Sequence, residues 1–192
     1  MDFSPETLFS IIIGIGLAAS VGFRIFVPLF ALSLASFYGI IPLNESWEWV
    51  GSSTAIIILG IATIVEILAY FIPWLDNLLD TIAVPLAAVA GTAVMVATVS
   101  NLDPTITWAL AIIAGGGTAT AIKGSTSTTR LASTATTAGI ANPIISTVET
   151  GTSIVMSVFS IFIPILAIVL VGVIFWILFR VFKLFKPSKS TK

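Results

Sequence analysis

Apolar residues run along this chain in long blocks, separated by short polar interruptions. From Leu8 to Ile41 only Arg24 and Pro28 break the apolar character. A second run covers 54–75 and is interrupted by Glu66. A third covers 81–100, and a fourth covers 105–122 and ends in Lys123. The stretch 125–139 is different: Ser and Thr dominate it, with Arg130 inside. The last run, 151–182, contains Pro164, which predicts a kink. A membrane barrel would instead show alternating segments of about ten residues. The pattern predicts an all-α fold, a polytopic transmembrane helix bundle.

A bilayer core takes about 20 helical residues. The run from 5 to 41 is too long for one crossing and carries Arg24 in its middle. It is either one long broken helix or two helices turning near Arg24. The same choice arises for 105–139 at Lys123. The bundle therefore has five to seven helical segments, two of them broken or hairpin-like. Ser4, Pro5 and Glu6 read as a helix start: an N-cap, a proline in the first turn and an acid near the positive dipole end. A cleavable signal peptide would begin with basic residues, so this acidic segment is expected to stay.

Composition turns the membrane reading into a requirement. Apolar residues make up 57% and charged residues 9%, against about 25% charged in ordinary soluble domains. Mean hydropathy is +1.14. One transmembrane domain, 1–182, is expected, followed by a basic tail, 183–192. The chain has no cysteine and no histidine. That removes disulfides, thiolate nucleophiles, iron–sulfur clusters and the usual zinc sites. It also removes Ser-His and Cys-His catalytic pairs. No cofactor or metal is expected.

The net charge of −1 hides an asymmetry. Five of the eight Lys/Arg lie after residue 179, and the first 23 residues contain none. Nucleic-acid binding has no footprint here. The tail predicts a cytoplasmic C-terminus and contact with anionic lipid headgroups. Counting back from it, with turns at Arg24 and Lys123, gives seven segments and an N-terminus outside. Asp2, Glu6, Glu45, Glu48, Asp103 and Glu149 then fall outside. Trp47, Trp49 and Trp108 mark the outer interface, and Trp74 and Trp176 the inner one. Five crossings remain the competing arrangement.

Residues 5–72 and 105–174 share a layout, joined by a helix at 76–100. A shift of 101 aligns Gly16 with Gly117, Ala31 with Ala132, Pro42 with Pro143 and Glu48 with Glu149. Duplication and coincidence in an apolar sequence are evenly balanced. Seven segments would make the copies parallel, and five would make them inverted. Both arrangements recur in transporters, with the binding site at the repeat interface.

Ionisable residues at membrane depth are costly and are functional candidates by default. Arg24 either marks a cytoplasmic helix end and snorkels to headgroups, or serves as a buried partner for Glu66 or an anion. Glu66 must be protonated, paired or facing water, and a cavity or pairing role is favoured. Asp76 and Asp80 are four apart, so a helix puts them on one face, suited to a cation or a proton relay. The alternative is that Asp76 or Asn77 caps a helix and Asp80 sits in its first turn. Lys123 and Arg130 are seven apart and share a helical face, among Ser125, Thr126, Thr128 and Thr129. Those hydroxyls serve either helix packing or, with the two cations, an anionic solute. Gly14, Gly16, Gly115, Gly116 and Gly117 allow close approach of a neighbouring helix or ligand. The triple glycine lacks the lysine spacing of a phosphate loop. Asn142-Pro143 signals a turn. Glu149 either caps the last helix or closes a salt bridge to Arg130.

Three blocks carry a resemblance. The first is Gly16-Leu17-Ala18-Ala19-Ser20-Val21-Gly22-Phe23-Arg24 with Pro28. The second is Glu66, then Ile72-Pro73-Trp74-Leu75-Asp76-Asn77-Leu78-Leu79-Asp80, then Pro85. The third is Lys123, Arg130-Leu131-Ala132-Ser133, Asn142-Pro143, Ser146 and Glu149. In order and spacing, over roughly 8–155, they resemble a family of bacterial integral membrane proteins described only as a domain of unknown function. The resemblance implies a bacterial inner-membrane location and supports the site residues, but implies no activity. It also implies an acid where this chain has Tyr70, an arginine where it has Val84, and a histidine near Lys123. This member then has a reduced polar network.

Three functions compete. The first is a transporter or channel for a small anionic or phosphate-bearing solute. Lys123 and Arg130 would hold the anion, and Glu66, Asp76 and Asp80 would couple to protons or a cation. The second is a non-catalytic scaffold, assembly factor or lipid-binding protein. The third and weakest is a membrane-embedded enzyme using Asp76, Asp80 and Glu66 to hold Mg²⁺, or Lys123 to activate a serine, without the motif such chemistry needs. Oligomeric state is not legible.

Overall fold

Polar punctuation sets the helix ends. In α1 (Pro5–Val21) the Ser4 side chain accepts from the Thr7 amide, Pro5 fills the first turn and Glu6 follows. The other elements are α2 (Phe26–Phe37), a 3-10 helix (Glu45–Gly51), α3 (Ser53–Ala69), α4 (Pro73–Thr98), α5 (Pro104–Leu110), a π-helical segment (Ala111–Gly116), α6 (Gly117–Thr137), α7 (Asn142–Phe162) and α8 (Pro164–Phe185). These belong to a computed structural model that describes residues 4–185. Residues 1–3, including Asp2, and 186–192 of the basic tail lie outside it, as does the Asn77 side chain. Among the described residues there are eight α-helices and no strand. Three helical stretches are long and apolar enough to cross a membrane: Trp74–Thr98, Pro104–Thr137 and Asn142–Phe162. The 3-10 helix and α3, bent by 66° at their junction, make a fourth if the pair is one span.

Contacts fix the direction of each helix. The Ser100 amide donates to Ser10 Oγ, and the Asn44 amide donates to the Ala97 carbonyl. The start of α1, the exit of α2 and the end of α4 therefore share one end of the bundle. Glu6, Glu45, Glu48 and Asp103 belong to this acidic end. Arg24, Tyr70, Asp76 and Asn142 meet at the other, basic end. The chain thus reverses at Gly22–Ile25, as the hairpin reading of 5–41 has it.

At Lys123 it does not reverse. α5, the π segment and α6 form one helical stretch of 34 residues. The hydroxyls there bond back to their own helix, Ser125 to the Ala121 carbonyl and Thr128 to the Gly124 carbonyl, so the polar stretch needs no turn. The turn comes at Ile163 instead. Gly16 lies against both Ser160 and Ala167, one on each side of that turn. Pro164 was expected as a kink, but it lacks an N–H and blocks continuation, so α7 stops and α8 starts on it. One consequence corrects the charge map. α7 begins at Asn142, beside Asp76, so Glu149 lies at the basic end and not outside with the other acids. The break at Arg24 has no counterpart 101 residues on, where Ser125 sits inside α6.

Small residues let α4 meet its neighbours. A Cβ on Gly115 would stand 2.5 Å from the Gly91 carbonyl oxygen. Gly14 lies against Thr98 and Met95, and Gly116 against Thr92. Gly117 faces open space, so it plays no such part, whereas Gly22 and Gly91 do. Around these contacts Leu17, Val21, Leu32 and Val94 are buried. The outer face is apolar instead of polar: Ile57, Ile61, Ile64, Leu68, Val89 and Ile113 are all exposed, as lipid contact requires. Gly115→Val is expected to cost about 1–3 kcal/mol of stability through overpacking against backbone. Thermal unfolding in detergent checks this; an unchanged midpoint would show that α4 and the π segment can separate freely.

Candidate functional site

The most costly groups in the bundle meet in one place. Arg24 and Lys123 have no exposed surface, and Arg130 is 1% exposed. Around them lie Glu66, Asp76, Glu149 and the partly buried Asp80. Such charges persist in a low-dielectric interior only when paired and hydrogen-bonded. Arg130 meets that demand most fully. Its Nη1 donates to Asp76, its Nη2 to Glu149 Oε2, and its Nε lies 3.2 Å from both Glu149 oxygens. Asp76 Oδ2 also accepts from Asn142 Nδ2 at 2.9 Å. Arg24 donates through Nε to Thr150 Oγ1 at 2.9 Å and through Nη2 to the Ser146 carbonyl at 3.0 Å, with Glu149 Oε2 3.6 Å away. These bonds tie the α1–α2 turn, α4, α6 and α7 together.

Tyr70 stands at the centre. Arg24 Cζ, Arg130 Cζ and Lys123 Nζ lie 4.0, 4.5 and 5.1 Å from its ring centroid. The ring's negative face attracts all three cations. Lys123 Nζ also donates to Tyr70 Oη at 3.2 Å and to the Phe23 carbonyl at 3.5 Å. The family resemblance points to an acid at this position. The phenol supplies an acceptor and a π face there, but no charge. Val84, the other such position, lies one turn beyond Asp80 on α4.

Several expected roles change. Glu66 does not ion-pair with Arg24. Its two oxygens accept from the Ile25 and Phe26 amides at 2.8 and 2.9 Å. α2 has no side-chain cap of its own, so an acid from α3 caps it through space. Neither Asp76 nor Asn77 is the N-cap of α4, which begins at Pro73 after Ile72. Asp76 and Asp80 do share a face, but Arg130 fills the space a cation would take, with its Nε 4.0 Å from Asp80 Oδ2. Lys123 and Arg130 do face inward together. Ser125, Thr126, Thr128 and Thr129 do not join them, because each hydroxyl donates to a carbonyl of α6 itself. The suggested bridge from Arg130 to Glu149 is present.

The informative hydroxyls lie elsewhere. Asn142, Ser146, Glu149, Ser153, Ser157 and Ser160 are all buried on α7. Ser20 of α1 bonds to Ser153 Oγ at 2.9 Å and Ser157 Oγ at 2.7 Å. This stripe runs from Arg24 to Ser160, which lies against Gly16. Beyond it, at the acidic end, lies a mostly apolar groove of about 350 Å³, lined by Phe9, Ile13, Ile40 and Ile41 with Glu6 and Ser10 among others. The spacing of three and four residues along 142–160 is the sequence signal for this polar face. It is easily overlooked beside the denser Ser/Thr run of α6.

The fold defines an all-α bundle with three or four helices long and apolar enough to cross a membrane. The chain belongs to the family described as Domain of unknown function (DUF4126), whose model matches residues 11–184. No curated protein and no solved structure matches it.

Proposed function

We propose that this protein is a transporter of the bacterial inner membrane for a small anionic solute, and that its path follows the α1–α7 seam. In this reading the chain passes between the two ends seven times, in α1, α2, the bent pair ending in α3, α4, the α5–α6 stretch, α7 and α8, with the 12-residue α2 too short to span a bilayer core unaided. Every described Lys and Arg lies in the basic half, so that half faces the cytoplasm and the N-terminus lies outside. The observation that carries the reading is the buried stripe of hydroxyls that runs along the α1–α7 seam from the ion-pair cluster toward the acidic end. Lipid contact cannot explain a polar face turned inward, and apolar packing does not need one. The cluster closes the cytoplasmic end by tying α4, α6 and α7 to the α1–α2 turn. An anion finds spare donors there: Arg24 Nη1 is buried without a partner, and Lys123 has no carboxylate within ion-pair distance among the described residues.

The second reading is a scaffold in which the stripe is packing, since hydroxyls that bond each other across helices do hold membrane helices together. The cysteine-free chain separates the two. Single Ser→Cys changes at 20, 153, 157 and 160 are small, and each is treated in membranes with a charged, impermeant thiol reagent from either side. Transport predicts labelling of Ser157→Cys and Ser160→Cys from the acidic end, and of Ser153→Cys once Glu149→Gln loosens the cluster. No labelling in folded protein would leave the scaffold reading.

A further inference from the structure

The cluster divides into a tightly paired part and a loosely paired part. Arg130, Asp76 and Glu149 pair within ion-pair distance, and Arg24 joins them through Glu149 although its Nη1 has no partner. Glu66 is satisfied by two backbone amides. That leaves one cation and one acid. Lys123 Nζ reaches a phenol oxygen and, at 3.5 Å, a backbone carbonyl. Asp80 has only a 4.0 Å approach to Arg130 through Oδ2, while its Oδ1 is buried with no hydrogen-bond partner. A carboxylate oxygen without a donor is the form of this group least suited to burial. A protonated carboxyl is uncharged and fits it better. A metal ion is the poorer candidate. Among the described residues no three His, Cys, Asp or Glu converge to hold one, and Arg130 stands between the nearest acids.

We infer that Asp80, whose buried Oδ1 has no hydrogen-bond partner, is the place where this protein takes up and gives off a proton, while the Arg130 pairs act as a fixed lock. The groups facing Asp80 are Arg130 and Lys123 of α6, Asp76 of α4 and Glu149 of α7, with Tyr70 of the α3–α4 turn beside them. In the step itself a hydronium O–H bond breaks, leaving its electron pair on water, and an O–H bond forms on the Asp80 carboxylate. One buried charge becomes a neutral group, and no oxidant or co-reactant is needed. The 4.0 Å attraction between Asp80 and Arg130 is lost, while Arg130 still ties α6 to Asp76 of α4. A proton-dependent change of this kind is what an anion carrier needs to balance charge, so the inference deepens the transport reading and rests on it for its purpose.

The test reads protonation directly and not flux. The full chain in lipid nanodiscs is titrated between about pH 5 and 9 and followed by infrared difference spectroscopy of the protonated carboxyl stretch. The wild type is expected to show one carboxyl band that disappears as pH rises. Asp80→Asn should remove it, and Asp80→Glu should restore it at a shifted frequency. In Lys123→Met the band should persist at pH values where the wild type has lost it, because the neighbouring cation that favours the carboxylate is gone. No titrating band, or a band unchanged in Asp80→Asn, would overturn the inference. If Asp80→Asn does not fold, the frequency shift in Asp80→Glu decides alone. A titrating Asp80 together with unlabelled serines on α7 would leave the proton site standing and remove transport. Labelled serines without the band would do the reverse.

Discussion

Replacing Arg130 by methionine is expected to destabilise the protein by about 3–5 kcal/mol, the range for removing one partner of a buried ion pair. The guanidinium is 1% exposed and serves Asp76 and Glu149 at once. Without it two carboxylates stay in the interior with too few donors. Asp76 keeps only Asn142, and Glu149 keeps only Arg24 at 3.6 Å. Arg130→Lys retains charge but loses the planar fork that reaches both acids, so an intermediate loss is expected. Arg130→Met combined with Asp76→Asn should recover part of the deficit, since the Asp76 charge is removed with its partner and Glu149 keeps Arg24. Unfolding of the purified chain in mixed micelles measures all three. A loss below about 1 kcal/mol for Arg130→Met would mean that water already reaches the cluster and that it locks nothing.

The second large effect is expected at Glu66. Its carboxylate accepts from the first two amides of α2, which has no cap of its own. Glu66→Leu orphans both donors at a buried helix start, at about 1–3 kcal/mol each. The total is expected at about 2–6 kcal/mol, with the loss focused on the α1–α2 turn. Glu66→Gln keeps one accepting oxygen and should lose about half as much. Hydrogen exchange at Ile25 and Phe26 locates the effect. Unchanged protection of both amides in Glu66→Leu would show that water or another group caps α2. The same experiment bears on Arg24, because its position depends on how that turn is held.

Much of the membrane architecture was legible in residue order. Apolar blocks, the Ser4-Pro5-Glu6 start and the charge bias depend on local composition, and the structure keeps helices where those blocks lie. Helix ends were less legible where a residue's environment decides the outcome. Lys123 looked like an interface marker because a lysine in an apolar run usually is one. In the fold it is buried against Tyr70 and the helix runs straight through. Pro164 looked like a kink because proline permits either a bend or a stop, and the choice falls to what α8 can reach: here Gly16 and the α1 surface.

The ionisable residues divide in the same way. That Arg24, Glu66, Asp76, Asp80, Lys123, Arg130 and Glu149 matter followed from their cost in an apolar chain, which burial in any arrangement would impose. Spacing put Lys123 with Arg130 and Asp76 with Asp80, because helix periodicity is a local rule. Sequence alone thus determined an all-α chain with helices apolar enough to cross a membrane, a few expensive internal charges and two pairs of them on shared faces. Only the tertiary structure decided which charge meets which, since partners 19 residues apart (Arg130 and Glu149) and 54 apart (Arg130 and Asp76) are joined by helix packing and not by any local pattern. It also decided that the hydroxyls of α6 serve their own helix while those of α7 face the interior. Both runs have the composition to do either, and the difference is which side of each helix the neighbouring helices cover.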